Sequence, residues 1–326
     1  MNYTSVDKLG YIDEEVDGNL DLSAAIRKIK EEKNAIILAH YYQRPEVQDV
    51  ADFVGDSLAL SLKAASLKNT LILFAGVKFM AETVKILKPQ SKVLIPDLNA
   101  GCSLSDSCNF KDFKAFIDLH PNHTIVTYVN SSAEVKALSD ICCTSSNALN
   151  VVKSINEEQP IIFAPDRNLG SYVKLTLNIT NITIWDGYCH VHDQFILDSI
   201  LDLKVKYPKA KIITHPECQN QILLISDFIG STQNLLDYTI NSKFSDFIVV
   251  TEPGIIHQMN KMSPHKKFYS PYHKISGCNC NECNFMKLNT LKKIYLTLKY
   301  EYPYINLDSE LIYKAIKPIN RMLEIK

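Results

Sequence analysis

The chain reads as an α/β protein: three pseudo-symmetric three-layer α/β/α units, each on a short parallel sheet, around a central cavity. Three observations predict this. One segment recurs three times at nearly constant spacing. Each copy opens on a β-branched apolar run that passes into an apolar-periodic helix. The residues able to do chemistry fall just after the strands, where open α/β sheets gather function.

The copies are NAIILAHYYQRPEVQDVADFVGDSLAL from Asn34, HTIVTYVNSSAEVKALSDICCTSSNAL from His123 and AKIITHPECQNQILLISDFIGSTQNLL from Ala210. His40, Tyr128 and His215 end the three strands, in steps of 88 and 87 residues. Asp52, Asp140 and Asp227 repeat at the same steps, and Ser57, Ser145 and Thr232 each lie 17 residues beyond the strand-end residue. Agreement at several offsets indicates a threefold duplication. The second halves, TLILFAGVKFMAETVKIL, QPIIFAPDRNLGSYVKL and SDFIVVTEPGIIHQMNKM, are each a strand followed by a helix. A further strand, VLIPDL or ITIWDG, then leads to a cysteine. The units predicted are 22–105, 106–192 and 193–287, with the helical tail 288–326 completing the first. Apolar strands alternating with helices imply parallel sheets covered on both faces.

Composition narrows the function. Charge is balanced, 35 basic against 36 acidic residues, which gives no electrostatic case for nucleic acid or an anionic membrane. No apolar run reaches the roughly 18–20 residues that span a bilayer. The start, Met1-Asn2-Tyr3, resembles neither a signal nor a transit peptide, so the expected location is cytoplasmic, or organelle stroma if organelle-encoded. Neither Gly-x-Gly-x-x-Gly nor Gly-x-x-x-x-Gly-Lys occurs, which disfavours nicotinamide dehydrogenases and P-loop enzymes.

Nine cysteines, an odd number in a reducing compartment, argue against a disulfide framework. Cys142 and Cys143 replace Val54-Gly55 and Ile229-Gly230 and read as packing at a helix end. Cys218 reads as packing on the first helix of the third unit, at the place of Val47 and Val135, and Cys108 as structural or free. Cys102 and Cys189 differ, because they hold the same post-strand position 87 residues apart. The third unit offers Cys278, Cys280 and Cys283 at the equivalent end, and spacing leaves the choice open. Three thiolates in a polar cavity suit a 4Fe–4S cluster with one iron left for substrate. Zinc on Cys280 and Cys283, with His273 or His190, is the alternative.

The strand ends carry the remaining chemistry. His40, Tyr128 and His215 are followed two residues later by Tyr42, Asn130 and Glu217. Glu217 is the acidic member and a natural general acid or base. His192, three residues after Cys189, is a second proton carrier. Ser57, Ser145 and Thr232 read as helix N-caps whose helix ends favour an anion.

The stretches AHYYQRPEVQDVADFVGDSL, GVKFMAETVKIL, YVNSSAEVKAL, CTSSNA, PDRNLG, THPEC, DFIGST and CNFMKLNTL, spread from about Asn34 to Leu291, together resemble the quinolinate synthase family. The resemblance implies a cluster-dependent transferase of NAD biosynthesis. It would condense iminosuccinate with dihydroxyacetone phosphate, releasing phosphate and water, with an iminosuccinate-supplying enzyme as partner. It implies one 4Fe–4S cluster per chain on Cys102, Cys189 and Cys283, the last because it directly precedes the x-x-Met-Lys-x-Asn-Thr-Leu stretch. It implies substrate contacts from His40, Ser57, Tyr128, Asn130, Ser145, His215, Glu217 and Thr232, and proton movement by Tyr42, Glu217 and His192. The chain departs from many members in having Cys189-His190 and Cys283-Asn284 where they have Cys-Pro. A zinc or redox protein, and a non-catalytic anion-binding protein, are the readings from other classes.

Overall fold

The computed structural model of the chain describes residues 4–68, 70–271 and 281–325. Twelve strands among them form three four-stranded, all-parallel sheets. The first holds β1 (Ala35–His40), β2 (Phe53–Gly55), β3 (Leu71–Ala75) and β4 (Lys92–Leu94). The second holds β5 (Thr124–Tyr128), β6 (Ile141–Cys143), β7 (Ile161–Ala164) and β8 (Ile182–Ile184). The third holds β9 (Lys211–Thr214), β10 (Phe228–Ile229), β11 (Asp246–Val250) and β12 (Lys267–Tyr269). The spatial order is the same each time: β2-β1-β3-β4, β6-β5-β7-β8 and β10-β9-β11-β12. Helices connect the strands, so the predicted α/β class with three repeated units is what the chain adopts.

The chain divides into two compact units. Met1–Cys102 with Asn284–Ile316 carries the first sheet, and Ser103–Cys283 with Lys317–Lys326 carries the other two. In the first, Ile37, Ala39, Leu73 and Ala75 face Ile26 of helix Leu22–Glu32 and Ile294 and Leu298 of helix Leu291–Tyr300, all buried. Side chains alternate along a strand, so Leu38, Ile72 and Phe74, also buried, turn to the opposite face.

The repeated aspartates are part of this frame. Asp52, Asp140 and Asp227 each accept the amide of the central strand through Oδ2, from Ile37, Ile125 and Ile212, at 2.8, 2.8 and 2.9 Å. Their own amides donate back to the same three residues' carbonyls. Each aspartate thereby fixes the edge strand that follows it.

The structure corrects three local expectations. Cys142 and Cys143 lie in β6 rather than at a helix end; two- and three-residue strands are too short to show a period in sequence. Cys218 sits in the turn ahead of helix Asn220–Leu223, and Ile222 is the residue on that helix that packs into the core. The N-caps also shift: Asp56 caps helix Ser57–Ser66, Asn147 precedes helix Ala148–Lys153, and Ser231 caps helix Thr232–Asn241. Ser57 and Thr232 are the first residues inside their helices, and Ser145 lies in a turn, so none of the three hydroxyls caps. Among the described residues, no helix is long and apolar enough to cross a membrane.

Candidate active site

Within the second unit, β5 and β9 occupy the position where their sheets reverse strand order, the place at which doubly wound folds bind ligands. Tyr128 ends β5 and His215 follows β9. The turn after β9 carries Glu217, and its fully buried carboxylate collects partners from several elements. His192 Nδ1 lies 2.6 Å from Glu217 Oε2. Tyr128 also hydrogen-bonds this carboxylate, and Asn130 donates to Oε1 at 3.5 Å. The carbonyl of Glu217 accepts from Asn168 Nδ2 at 2.9 Å, which holds the backbone of the turn.

His192 is fixed on both sides. Its Nε2 is 2.9 Å from Thr251 Oγ1, its Nδ1 is 3.3 Å from Cys189 Sγ, and its ring stacks on His215 at 4.5 Å. His215 turns Nδ1 toward the Glu217 amide, which donates to it at 3.4 Å, and sets Nε2 3.2 Å from Ser145 Oγ. Cys189, His192 and Glu217 thus gather three potential ligand atoms within 4.8 Å, a group able to hold a metal.

The electrostatics follow from burial. Loss of water disfavours the Glu217 carboxylate, but the adjoining His192 and His215, with hydrogen bonds from His192 and Tyr128, outweigh it and bring its pKa down to about 2. Asp166, fully buried, moves the other way: burial and then the Glu217 charge push it well above the usual carboxylate range. The two buried acids are thus pushed in opposite directions. Among the described residues, Asp166 Oδ2 and Asn130 Oδ1 are buried without a hydrogen-bond partner.

In the first unit, His40 and Tyr42 are buried together at the end of β1, rings edge to face at 4.6 Å. His40 Nδ1 accepts the Tyr42 amide at 3.2 Å, the same turn that His215 makes with Glu217. Lys287 Nζ donates to the Tyr42 carbonyl at 2.7 Å, and Asn289 Nδ2 to the Gly76 carbonyl at 2.9 Å. The Met-Lys-x-Asn stretch therefore seats the strand ends of this unit.

The described cysteines fall into two sets. Cys108, Cys142, Cys143 and Cys218 are fully buried, and burial raises each thiol, Cys108 and Cys142 to about 12. Cys102, Cys189 and Cys283 are only half-buried. His190 is occupied by Ser103, whose Oγ is 2.7 Å from its Nδ1, and burial, then His192, lowers its pKa. Cys278, Cys280 and His273 lie outside the described residues.

Four groups here escaped sequence reasoning: the buried Asp166, Thr251 and Glu252, and the partly buried Asn168. All four sit just past β7 or β11, in the segments that align as second halves of the repeat. The visible signal was an acid at the same offset in two copies.

A family profile described as Quinolinate synthetase A protein (NadA) matches residues 24–324. Proteins named quinolinate synthase from Nostoc sp. (strain PCC 7120) and Trichormus variabilis are each 54% identical over 306 residues, 94% of either chain. The one from Thermosynechococcus vestitus is also 54% identical, over 94% of this chain and 96% of its own.

Proposed function

The chain belongs to the quinolinate synthetase A family, and from that membership we propose that it makes quinolinate for NAD biosynthesis by condensing iminosuccinate with dihydroxyacetone phosphate. Phosphate and water are released, so the enzyme is a transferase forming a carbon–carbon bond. The buried Glu217–His192 pair beside Cys189 carries this reading, because it joins a proton-holding couple to a half-buried thiol.

The donor set fits one 4Fe–4S cluster. The cysteines singled out as ligands, Cys102, Cys189 and Cys283, are the half-buried three, whereas the other four described thiols are held protonated in the core. Soft thiolates suit iron–sulfur chemistry, and three of them leave one iron without a protein ligand. When bound, the cluster supplies Lewis acidity at that iron.

The chain's own groups bind and move protons. His40, Ser57, Tyr128, Asn130, Ser145, His215 and Thr232 orient iminosuccinate, and the hydroxyls released from capping are suited to its carboxylates. Asn130 Oδ1, lacking a protein partner among the described residues, fits a substrate N–H. Glu217 Oε2 and His192 Nδ1 share a proton and pass it to and from the reacting carbons. Tyr42 is the third proton carrier.

We extend the proposal to three domains, 22–105 completed by 288–326, 106–192 and 193–287, around a central cavity. The working location is the cytoplasm, or an organelle stroma if organelle-encoded, with an iminosuccinate-supplying enzyme as partner. Anaerobic purification tests the whole. A brown protein with iron and sulfide that forms quinolinate from the two substrates supports it. Zinc on Cys189, His192 and Glu217 is the second reading, and a colourless protein with stoichiometric zinc would establish that instead. Cys283→Ala should lose the cluster; loss in Cys280→Ala with retention in Cys283→Ala would move the third ligand.

A further inference from the structure

The three sheets share a register that identifies equivalent residues beyond their strands. Ala39 pairs with Ala75, Thr127 with Ala164, and Thr214 with Val250. Two residues further on lie Val77, Asp166 and Glu252, all buried. The next residues are Lys78, Arg167 and Pro253.

That last position ties down a cysteine loop. The Lys78 amide donates to the carbonyl of Ala100 at 2.7 Å, and the Arg167 amide to that of Gly187 at 2.8 Å. Ala100 and Gly187 each stand two residues before the unit's cysteine, Cys102 or Cys189. In the third repeat the same position is Pro253, which has no N–H to give. The backbone tie is therefore impossible there. What fills its place is a side chain. Glu252 Oε1 accepts the Cys283 amide at 3.3 Å, while Oε2 accepts the Gly254 amide at 2.7 Å. The carboxylate joins the turn after β11 to the cysteine segment in one bridge.

The second repeat is intermediate. It keeps the backbone tie and has an acid as well. Asp166 Oδ1 accepts the Leu169 amide at 2.7 Å, and the Cys189 amide also hydrogen-bonds the Asp166 carboxyl. The first unit keeps the backbone tie and has Val77 at the acid's place.

We propose that Glu252 is the positioning residue for the third cluster ligand, holding the Cys283 amide in place of the backbone bond that Pro253 cannot make. Outer partners that orient metal ligands typically change metal affinity about 10–100-fold when removed. The inference rests on the cluster reading of the site and deepens it. Glu252 contacts no reacting atom; it acts through Cys283.

The test uses the full-length enzyme, reconstituted anaerobically, as wild type, Glu252→Ala, Glu252→Gln and Val77→Ala. Iron and sulfide per chain, the rate of bleaching by an iron chelator, and the electron paramagnetic resonance of the reduced cluster are measured, with far-UV circular dichroism of the apoproteins. Glu252→Ala should lose its cluster to chelator about 10–100-fold faster and broaden the resonance. Glu252→Gln, keeping one acceptor oxygen, should fall between it and wild type. Val77→Ala, altered at the equivalent place of the first unit, should match wild type. Bleaching of Glu252→Ala within twofold of wild type would overturn the assignment. So would loss of the folded far-UV signal in both Glu252 variants, which would make the residue one of folding. A wild type that binds no iron and sulfide would instead sink the cluster reading itself.

Discussion

His192 Nδ1 stands 2.6 Å from Glu217 Oε2, with both side chains 2% exposed. A contact this short between a ring nitrogen and a carboxylate places a proton on the line joining them. Removing the carboxylate charge while keeping its shape tests that role. Glu217→Gln should lower kcat by about 10²–10⁴-fold, the usual scale for a general acid–base group. The brown colour and the iron content should stay at wild-type level.

The histidine has a separable signature. His192 is the largest influence that lowers the Glu217 pKa. Replacing it by glutamine removes a positive neighbour, so the carboxyl pKa must rise from about 2 toward its ordinary value. The acid limb of the kcat profile of His192→Gln should therefore lie at higher pH than that of wild type. An unmoved limb with reduced kcat would separate His192 from Glu217.

Asp140 Oδ2 accepts the Ile125 amide at 2.8 Å inside the strand frame. Asp140→Ala leaves that amide unpartnered, which costs about 1–3 kcal/mol. Urea unfolding should show the loss, and the surviving folded enzyme should keep its KM.

Adjacent hydroxyls should separate in the third sheet's unit. Ser231 caps helix Thr232–Asn241 with a reciprocal Asn234 bond, and Thr232 is the next residue. Ser231→Ala should destabilise by about 1 kcal/mol. Thr232→Ala should leave the unfolding midpoint nearly unchanged and raise the KM for iminosuccinate. The opposite pattern would return Thr232 to the capping role that its sequence position suggests.

The buried thiols set an alkaline limit. Cys142 has its folded-state pKa raised from 9.0 to about 12, chiefly by burial. Below pH 9 the thiol is neutral folded or unfolded and carries no linkage. Between 9 and about 12 the unfolded chain ionises it and the folded one does not, so stability falls as pH rises, by at most about 1.4 kcal/mol per pH unit. Cys142→Ala should show a shallower decline of the urea midpoint over this window than wild type.

Much of this was legible in the sequence, because duplication prints the same residue types at fixed steps. Asp52, Asp140 and Asp227 announced a shared frame, and the structure shows why each is an aspartate: it must accept one particular strand amide. His40, Tyr128 and His215 were placed at strand ends by the same arithmetic. What failed was finer than one helical turn. The edge strands β2, β6 and β10 are two or three residues long and leave no periodic trace. In the first and third copies the cap lies one residue before the hydroxyl that sequence favoured, and in the second it is Asn147, two residues after Ser145; Ser, Thr, Asn and Asp all cap well, so the sequence does not say which neighbour does so. Glu252 and Asp166 went unseen for another reason: their equivalent in the first copy is Val77, and the need for an acid appears only once Pro253 is found where an amide should be.

The three aspartates and the rung occupied by Val77, Asp166 and Glu252 behave oppositely under duplication. The first kept one identity in every copy, while the second drifted to three. A chain copied twice can thus assign folding to positions that stay alike and chemistry to positions that diverge, and the two need not compete for the same residue. An engineer can use this division. Exchanging residues among the three copies at the strand ends should reprogramme how each cysteine loop is held and leave the scaffold's assembly untouched.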